Sequence, residues 1–471
     1  MNIYKILKIS ILNILIYSFT TLNCALGKGV NDPPNIVLIL ADDMGYGDLS
    51  CYHQEKWNTP RIDELASEGA RFINFYVPTP YCAPSRATLL TGKYPFNHGL
   101  MDNPAPDATR HLDTAGLPLN EILISQLLKK EGYATTCIGK WHLGHQPQFL
   151  PTKRGFDSYY GIPYSNDMRP VHMLENEEVV EYPVVQSTLT KRYTERALKF
   201  IEKHKDQRFF LYLPHAMPHK PLAPSTDFYT PDTKEDLYAD VIRELDTSVG
   251  SILDKIKELD LEKNTLVIFM SDNGPWFGGS AGGLRGMKAL TWEGGLRVPF
   301  MVRWSGKIKS AQVINEPMGS IDIFPTLLKV AGINVSDQIR LDGKDMMPVL
   351  TESAKTPHEA LYGMFGKEVY VVRSGPWKLH MKARTDTPDY MEEDWVDPRG
   401  PDGVTILGPY EQSRPADYPG LLSGDGPHDN MLFNLETDPG EQHNVAGENP
   451  GIVKKLTKMY QTFKKTYASN E

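Results

Sequence analysis

The chain has 471 residues, of which 40% are apolar, so it can form a large folded core with an additional smaller domain. Its formal net charge of −9 excludes a nucleic acid as the expected partner, because nucleic-acid binding requires a basic surface. An anionic substrate would have to bind in a local basic pocket, since the protein as a whole repels anions.

The N-terminal segment is predicted to be a signal peptide over residues 1–27. A positively charged start precedes a short apolar stretch, and Ala25-Leu26-Gly27 is typical of a signal-peptidase cleavage site. We therefore expect a periplasmic or secreted protein with no transmembrane segment after processing. Two alternatives stay open: a membrane anchor, for which the stretch is short, and a lipid anchor on Cys24, for which the preceding residues fit poorly.

Three cysteines follow this segment, namely Cys51, Cys82 and Cys137. An odd number in an exported protein means that at least one of them is not in an internal disulfide. No two of them have the close spacing of a zinc site, so the sequence predicts neither a disulfide framework nor zinc.

Apolar runs of strand length alternate with helical patterns along the first two thirds of the chain. The predicted strands are residues 36–40, 134–138, 209–213 and 266–270. Continuous apolar runs are typical of strands that are buried on both faces of a parallel sheet. Apolar side chains with helical spacing lie between them, at Ile122, Leu123, Leu127 and Leu128 and from Leu237 to Ile256. This alternation predicts an α/β fold with a large, mostly parallel sheet flanked by helices.

The composition changes after about residue 355. Residues 385–430 are rich in Pro, Gly and Asp, and they indicate a long loop region. Residues 369–372 and 377–380 are predicted to form a hairpin, and residues 452–463 a terminal amphipathic helix. We therefore predict a large N-terminal domain over residues 28–355, followed by a smaller α+β subdomain with an antiparallel sheet over residues 356–471.

Polar residues follow each predicted strand at the point where the strand ends. Asp42-Asp43 and Asp272-Asn273 follow the first and fourth strands, and other polar groups follow the second and third. Ligands bind beyond the carboxyl ends of the strands in open α/β sheets, so these groups should surround one crevice. A set of oxygen ligands without sulfur suits a hard cation such as calcium or magnesium. The alternative is that these residues only form turns after the strands.

A second candidate feature is the pentapeptide Cys82-Ala83-Pro84-Ser85-Arg86. Pro84 suits the first position of a helix and Gly92 can end that helix, so Cys82 is expected just before the helix N-terminus. Backbone N–H groups there would favour a sulfate or phosphate oxygen, and they would lower the pKa of the thiol. The alternative is an ordinary buried cysteine in front of a short helix.

At these residues the chain resembles type I sulfatases, and Gly161 to Asp167 is most similar to the arylsulfatase A branch. The resemblance extends from about Asn35 to the C-terminus. It is carried by Cys82-Ala83-Pro84-Ser85-Arg86 with Leu89-Leu90-Thr91-Gly92, by Gly139-Lys140-Trp141-His142-Leu143-Gly144, by Ser271-Asp272-Asn273-Gly274, and by Lys288 with Glu293-Gly294-Gly295-Leu296-Arg297.

The resemblance implies an alkaline-phosphatase-like fold and the hydrolysis of sulfate esters, and we expect the substrate to be an oligosaccharide derived from a sulfated polysaccharide. In this family the cysteine is oxidised to Cα-formylglycine (3-oxoalanine) by the formylglycine-generating enzyme before folding. The resemblance implies one bound Ca²⁺ per chain, with ligands from Asp42, Asp43, Cys82, Asp272 and Asn273. It implies catalytic roles for Cys82, Arg86, Lys140, His142, His219 and Lys288. As further substrate contacts we expect His145, Asn166, Asp167 and His215.

Two other functions remain open at this stage. One is a phosphomonoester or phosphonate hydrolase with the same fold. Such enzymes usually hold two transition metals, whereas Lys140 and Lys288 take the place of a second metal here. The other is a protein that binds sulfated glycans without turnover, although every matched motif position in this chain is filled. Hydrolysis of a sulfate ester would separate the sulfatase from both alternatives.

Overall fold

The structure is a computed structural model that describes residues 33–168, 171–230, 237–276, 278–334, 339–384 and 423–468. The predicted signal peptide, Cys24 and most of the predicted loop region over residues 385–430 lie outside the described residues. Among the described helices, none is long and apolar enough to cross a membrane.

Sixteen strands are described. They are β1 (Asn35–Ala41), β2 (Ala70–Phe72), β3 (Phe75–Tyr76), β4 (Ala134–Ile138), β5 (Ser158–Gly161), β6 (Met173–Glu175), β7 (Glu178–Glu181), β8 (Phe209–Pro214), β9 (Thr265–Ser271), β10 (Phe300–Arg303), β11 (Gln312–Ile314), β12 (Met318–Gly319), β13 (Leu361–Phe365), β14 (Glu368–Ser374), β15 (Trp377–His380) and β16 (Met431–Asn434).

The α-helices of the described residues connect and flank these strands. They are α1 (Pro60–Glu68), α2 (Cys82–Thr91), α3 (Pro95–His98), α4 (Ile124–Lys130), α5 (Leu189–Lys203), α6 (Leu237–Glu258), α7 (Glu293–Leu296), α8 (Ile323–Val330), α9 (Met347–Glu352) and α10 (Pro450–Ala468).

Ten of the strands form one large sheet in the order β11-β2-β10-β9-β1-β8-β4-β5-β6-β7. The neighbours from β9 to β5 are parallel, whereas β10, β6 and β7 pair in the antiparallel direction. The prediction of a large, mostly parallel sheet flanked by helices is therefore confirmed. All four apolar runs identified in the sequence are strands of this sheet.

Strand β1 shows why its sequence is apolar at every position. Val37 and Ile39 pack into the core on one face of the sheet, together with the long helix α6. Ile36 and Leu38 pack on the other face, together with α2, α4 and α8. A strand covered by helices on both faces has no position for a solvated side chain.

Two local predictions at helix starts are wrong. The helix that was expected to include Ile122 begins only at Ile124, and the Ile122 side chain is 37% exposed. Cys82 is the first residue of α2 and not the residue before it, so Pro84 lies within the first turn. Pro at this depth is tolerated because the first-turn N–H groups have no helical acceptor. Gly92 does end the helix, in a left-handed conformation with φ of 67°.

A second, antiparallel sheet contains β13, β14, β15 and β16 in that order. The predicted hairpin is confirmed as β14 and β15, which pair from Val371–His380 to Ser374–Trp377. The terminal helix α10 packs against β14 and β15. These elements form the smaller C-terminal sheet that the sequence predicted, while the boundary at residue 355 stays a prediction.

A buried ionic network joins the C-terminal sheet to the large domain. Lys378 of β15 places its Nζ 3.0 Å from Glu293 Oε1 and 3.1 Å from Glu441 Oε1. The second Glu441 oxygen accepts a hydrogen bond of 2.6 Å from the Glu293 amide. Tyr76 donates its hydroxyl to the other oxygen of Glu293 at 2.7 Å. The C-terminal sheet thereby holds the start of α7 in position.

Asp48 connects the loop after β1 to the loop after β9. Its carboxylate accepts hydrogen bonds from the Gly45 amide, the Ser280 amide and the Tyr238 hydroxyl, each at 2.6 Å. The side chain is fully buried, and burial raises its pKa to about 7. Asp48 therefore fixes the relative position of two loops that carry polar residues at the carboxyl ends of the strands.

The first prediction concerns this carboxylate. Asp48→Asn should lower the free energy of unfolding by about 1–3 kcal/mol, because the new amide N–H₂ faces donors that then lack an acceptor. Urea unfolding monitored by circular dichroism measures the loss. Asp206→Asn, at an exposed site, is the matched control and should change stability little. Equal stability of the two variants would contradict the role of Asp48.

Candidate active site

Four parallel strands bring their carboxyl ends together at one edge of the sheet. Asp42 and Asp43 follow β1, and Asp272 follows its neighbour β9. On the other side of β1, strand β8 leads towards His219, and β4 leads to Lys140. The crevice expected from the sequence therefore forms where the strands end, and α2 delivers Cys82 to it.

An acidic cluster lies at the centre of this crevice. Asp42, Asp43, Cys82 and Asp272 each offer one ligand atom, and these atoms all lie within 4.8 Å of one another. All of them are buried, with at most 1% of each side chain exposed. The Cys82 Sγ lies 3.7 Å from Asp43 Oδ1. Such a cluster can hold a metal ion between its oxygens.

Three buried cations neutralise the carboxylates. The Arg86 guanidinium spans two of them, with Nη2 at 3.1 Å from Asp42 Oδ1 and 2.8 Å from Asp272 Oδ2. Lys140 Nζ lies 2.5 Å from Asp42 Oδ2, and Lys288 Nζ lies 2.7 Å from Asp43 Oδ2. Each buried charge thus has a partner of opposite sign, without which its burial would be strongly unfavourable.

These contacts determine which carboxylates ionise easily. Burial alone would raise the pKa of Asp42, but Lys140 and Arg86 hold it well below its ordinary value. Burial raises the pKa of Asp272 to about 7, and the charge of Asp42 adds to this effect. Burial also opposes the charge of Lys288, yet Asp43 holds the pKa of that amine well above its usual range.

The Cys82 thiol does not have the lowered pKa that the sequence predicted. Burial raises the pKa of this thiol well above its ordinary value, and Lys140 and Lys288 only partly offset the effect. The expectation that the helix N-terminus lowers the pKa of the thiol is therefore wrong. Complete burial beside carboxylates outweighs the favourable amide dipoles.

Two polar groups in the crevice have no hydrogen-bond partner among the described residues. Asn273 donates its amide to Asp43 Oδ1 at 2.7 Å, but its own Oδ1 is unpartnered. Neither ring nitrogen of His142 has a partner, although the ring is fully buried. His142 also has a left-handed backbone with φ of 61°, a strained conformation that is typical of functional sites. The unpartnered Asn273 oxygen and the carboxylates fit the oxygen ligands of a hard cation.

A cavity of about 630 Å³ opens above the cluster. Five of the predicted site residues line it, namely Cys82, His142, Asp167, His219 and Lys288. Arg86 and Lys140 lie beneath it, bound to the carboxylates. All six residues expected to be catalytic are therefore in or directly under one cavity.

His219 lies between the acidic cluster and the cavity. Its Nε2 is 3.6 Å from Asp43 Oδ2 and 3.5 Å from Ser165 Oγ. Its Nδ1 is 2.5 Å from the Lys220 carbonyl oxygen, which requires a proton on Nδ1. Burial and the charge of Lys288 lower the pKa of this histidine, so the neutral ring presents an unprotonated Nε2 towards the cavity.

Of the four additional residues that we expected to contact the substrate, only one lines the cavity. Asp167 lines the cavity, whereas His145, Asn166 and His215 are not among its lining residues. Asn166 is fully buried and binds Gln186 and the His219 carbonyl. His215 is fully buried, with Nε2 at 3.3 Å from Ser248 Oγ. For these three residues a substrate contact stays a prediction that the geometry does not support.

Several lining residues were not identified from the sequence. They include Tyr81, Asn103, Arg110, Lys220 and Arg384, which come from four separate segments of the chain. Lys220 and Lys288 both approach the Trp276 ring, at 5.9 and 6.0 Å from its centroid. Tyr81 adjoins the Cys82 motif and Lys220 follows His219, but nothing in the sequence relates Asn103, Arg110 and Arg384 to these motifs. Only the folded chain brings them together.

Comparisons with known proteins agree with this architecture. The model of the sulfatase family matches residues 34–333, and a model described as "N-sulphoglucosamine sulphohydrolase, C-terminal" matches residues 287–380. The chain is 34% identical to rat N-acetylgalactosamine-6-sulfatase, over 94% of this chain and 87% of the relative. It is 35% identical to human arylsulfatase A, over 92% of this chain and 88% of the relative.

A solved structure supports the same conclusion. The structure titled "Crystal structure of Ps i-CgsB in complex with k-i-k-neocarrahexaose" has a TM-score of 0.73 and 27% identity, and the match covers 92% of this chain and 93% of the other. The chain belongs to the sulfatase family. It is a sulfuric ester hydrolase, as the resemblance implied.

The second prediction tests the structural role of His215. Burial lowers the pKa of His215 from 6.5 to about 3, so the folded protein keeps the ring neutral where the unfolded chain takes up a proton. The stability that this group contributes is therefore lost as pH falls from 6.5 towards 3. His215→Gln should make the free energy of unfolding less dependent on pH in this range, as measured by urea unfolding.

The exposed His443 provides the matched control, and His443→Gln should leave the pH dependence of stability unchanged. A His215→Gln curve parallel to that of the unsubstituted protein would contradict the buried neutral state.

Proposed function

We propose that this sulfatase removes sulfate from a sulfated carbohydrate, with Cys82 oxidised to formylglycine as the nucleophile and Ca²⁺ as the bound cation. The observation that carries the proposal is the position of Cys82. Its Sγ lies 3.7 Å from Asp43 at the base of the cavity, next to an acidic cluster that is paired with three buried cations. A fully buried cysteine whose thiol has a high pKa is a poor nucleophile in its unmodified form.

The cation would be held by Asp42, Asp43, Asp272 and Asn273, with residue 82 beside it. Carboxylate and amide oxygens without imidazole or thiolate ligands favour calcium over zinc. When bound, such a cation supplies Lewis-acid stabilisation of the negative charge that develops on the sulfate oxygens. Lys140 and Arg86 would keep their present partners and hold Asp42 ionised for the cation.

Once hydrated, the aldehyde of formylglycine would supply a nucleophilic hydroxyl that an unmodified cysteine lacks. Its formation by the formylglycine-generating enzyme is part of the proposal. The pentapeptide Cys82-Ala83-Pro84-Ser85-Arg86 is fully buried at the start of α2, so modification must precede folding. The proposed order of modification, export and folding also fits the predicted signal peptide over residues 1–27.

The remaining side chains can bind the anion and transfer protons. Lys288 Nζ lines the cavity and can pair with a sulfate oxygen as well as with Asp43. His219, helped by Lys288, is proposed to protonate the oxygen that bridges sulfur and carbon: the Lys288 ammonium would supply the proton, and His219 Nε2 would pass it to the leaving oxygen. Its proton on Nδ1 is held by the Lys220 carbonyl. His142, with two unpartnered ring nitrogens, is proposed to accept a proton from the modified residue 82.

The carbohydrate part of the proposal comes from relatives and from the cavity. One similar protein is named for N-acetylgalactosamine 6-sulfate, and a similar solved structure contains a neocarrahexaose. The cavity above Cys82 combines Trp276 with polar groups from Asn103, Asp167 and Lys220. An aromatic face surrounded by hydrogen-bonding groups is suited to a sugar ring.

The two alternatives from the sequence have less support. A two-metal phosphatase site needs a second group of metal ligands, but among the described residues both clusters of such ligands share Asp43 and Cys82. A binder without turnover would not need His142 in a strained, unpartnered state.

The third prediction tests the nucleophile. The modified protein should release sulfate from at least one member of a panel that contains N-acetylgalactosamine 6-sulfate and carrageenan oligosaccharides. Cys82→Ala should abolish this release, because it removes the side chain that the proposal makes the nucleophile, while leaving the melting temperature close to that of the unmodified protein. Ion chromatography measures free sulfate, and peptide mass analysis measures the formylglycine content.

Cys137→Ala is the matched control, because Cys137 is also fully buried but lies in β4 and does not line the cavity. It should retain turnover. The proposal fails if Cys82→Ala retains turnover, or if active protein contains only the unmodified thiol.

The fourth prediction concerns the cation. Calcium should raise the melting temperature by mass action, with a stabilisation of about 2.7 kcal/mol at a concentration 100-fold above its Kd. Asn273→Ala should weaken calcium binding about tenfold, since one oxygen ligand is removed. Differential scanning calorimetry with calcium, with magnesium and with chelator provides the measurement.

Asn58→Ala, at an exposed site, is the control and should respond to calcium as the unsubstituted protein does. Full stability and full turnover in strong chelator would exclude the cation.

A further inference from the structure

The cavity above Cys82 adjoins a second cavity of about 370 Å³. Tyr81, Asn103, Arg110 and Met168 line both of them. A third cavity, of about 410 Å³, shares Met101 with the second and includes Lys367 next to Gly366 of the second. The first and third cavities share no lining residue, so the second lies between them. The three cavities therefore follow one another across the surface.

The third cavity is basic. Its lining consists of Lys93, Phe96, Asn97, Gly99, Met101, Arg340 and Lys367, with three cationic residues and no acidic residue. Lys93 is already paired with Glu121 Oε2 at 2.7 Å. Lys367 is exposed and forms no ion pair with any residue that the structure describes. In a protein with a net charge of −9, a concave surface of this kind favours an anionic group.

Helix α2 sets the distance between the basic cavity and the site of reaction. Cys82 is its first residue, and Lys93 follows its last residue, Thr91, after Gly92. A helix of ten residues is about 15 Å long, so Cys82 and Lys93, which line the first and third cavities, lie roughly that far apart. This distance exceeds the size of one sugar ring and matches the length of a short oligosaccharide.

The middle cavity has the features of a sugar subsite. The rings of Tyr81 and Phe365 lie 5.2 Å apart, and the Arg384 guanidinium covers Phe365 at 3.8 Å from the ring centroid. Arg384 occupies one face of Phe365, whereas the Tyr81 ring lines both this cavity and the one above Cys82 and can pack against the apolar face of a sugar. Asp102, Asp107 and Arg110 also line this cavity, and all three can form hydrogen bonds with sugar hydroxyls. The two carboxylates outnumber the one guanidinium, so the cavity attracts a sulfate less than the basic cavity does. The middle position thus favours an uncharged sugar.

We propose that the substrate is an oligosaccharide that extends from Cys82 through the middle cavity, and that a second anionic group of the same chain binds at Lys367 in the basic cavity. This inference rests on the proposed sulfatase action on a carbohydrate and adds length and charge spacing to it. The reacting sulfate lies over Cys82, an uncharged sugar lies beside Tyr81 and Phe365, and a sulfate or carboxylate occupies the third cavity. A monosaccharide sulfate fills only the first cavity and makes no contacts in the second and third cavities.

The fifth prediction compares a length series of the sugar that the panel identifies. The monosaccharide sulfate is compared with a tetrasaccharide that carries the same terminal sulfate and a further sulfate near its other end. The unsubstituted protein should have a higher kcat/KM for the tetrasaccharide, through a lower KM. In Lys367→Gln the ratio of the two kcat/KM values should fall by about tenfold, because one charge-assisted contact is lost.

Lys257→Gln is the matched control. Lys257 is exposed near the end of α6, which precedes the amino end of β9, whereas the site lies at the carboxyl ends of the strands. This variant should leave the ratio unchanged. Calorimetric titration of the tetrasaccharide into unmodified protein gives a second readout that needs no turnover, and Lys367→Gln should bind the tetrasaccharide more weakly there as well.

Two results would overturn the inference: equal kcat/KM values for the short and long substrates, or a ratio that Lys367→Gln does not change. Either result would leave the sulfatase proposal intact, because the monosaccharide sulfate would still be hydrolysed. The absence of sulfate release from every member of the panel would instead refute the carbohydrate proposal itself.

Discussion

The site depends on the neutralisation of three buried carboxylates by three buried cations. Burial by itself raises the pKa values of Asp42 and Asp272, because desolvation disfavours the charged form. Arg86, Lys140 and Lys288 provide the opposite charges at 2.5 to 3.1 Å. The loss of any one cation would leave the buried negative charges in excess of the buried positive charges, which is far more costly than the loss of a surface ion pair. The cavity, its proposed cation and the proposed nucleophile all rely on this balance.

Parts of the fold that are far from the cavity hold the segments that carry these charged residues in position. Asp48 ties the loop after β1 to the loop after β9 through the Ser280 amide, and its other two hydrogen bonds come from Gly45 of its own loop and from Tyr238 of α6. These two loops carry the carboxylates. The C-terminal sheet holds Glu293 through Lys378. Glu293 begins α7, five residues after Lys288, so the sheet also restrains the segment that carries this cation. The smaller sheet is thus part of the structure that supports the site, in addition to providing Phe365 for the middle cavity.

The sequence predicted the parts of the fold that depend on local patterns. Four apolar runs became strands because each is covered on both faces, and the hairpin of β14 and β15 formed across its predicted turn. The prediction that Ile122 belongs to the helix and the prediction that the pKa of the Cys82 thiol is lowered were wrong for one shared reason. Both depend on what lies around the residue in space, namely solvent for Ile122 and a dry acidic cluster for Cys82. Periodicity and helix position carry no information about either.

The sequence by itself determined the family, the strands and the polar residues at their carboxyl ends, because short motifs and apolar runs are local properties of the chain. Only the tertiary structure decided how these residues are paired. Asp43 and Asp272 are 229 residues apart, and the three adjoining cavities draw their walls from segments between Tyr81 and Arg384. Charge neutralisation and cavity shape depend on distances in space. Those distances arise from strand order and loop packing, which no local pattern specifies.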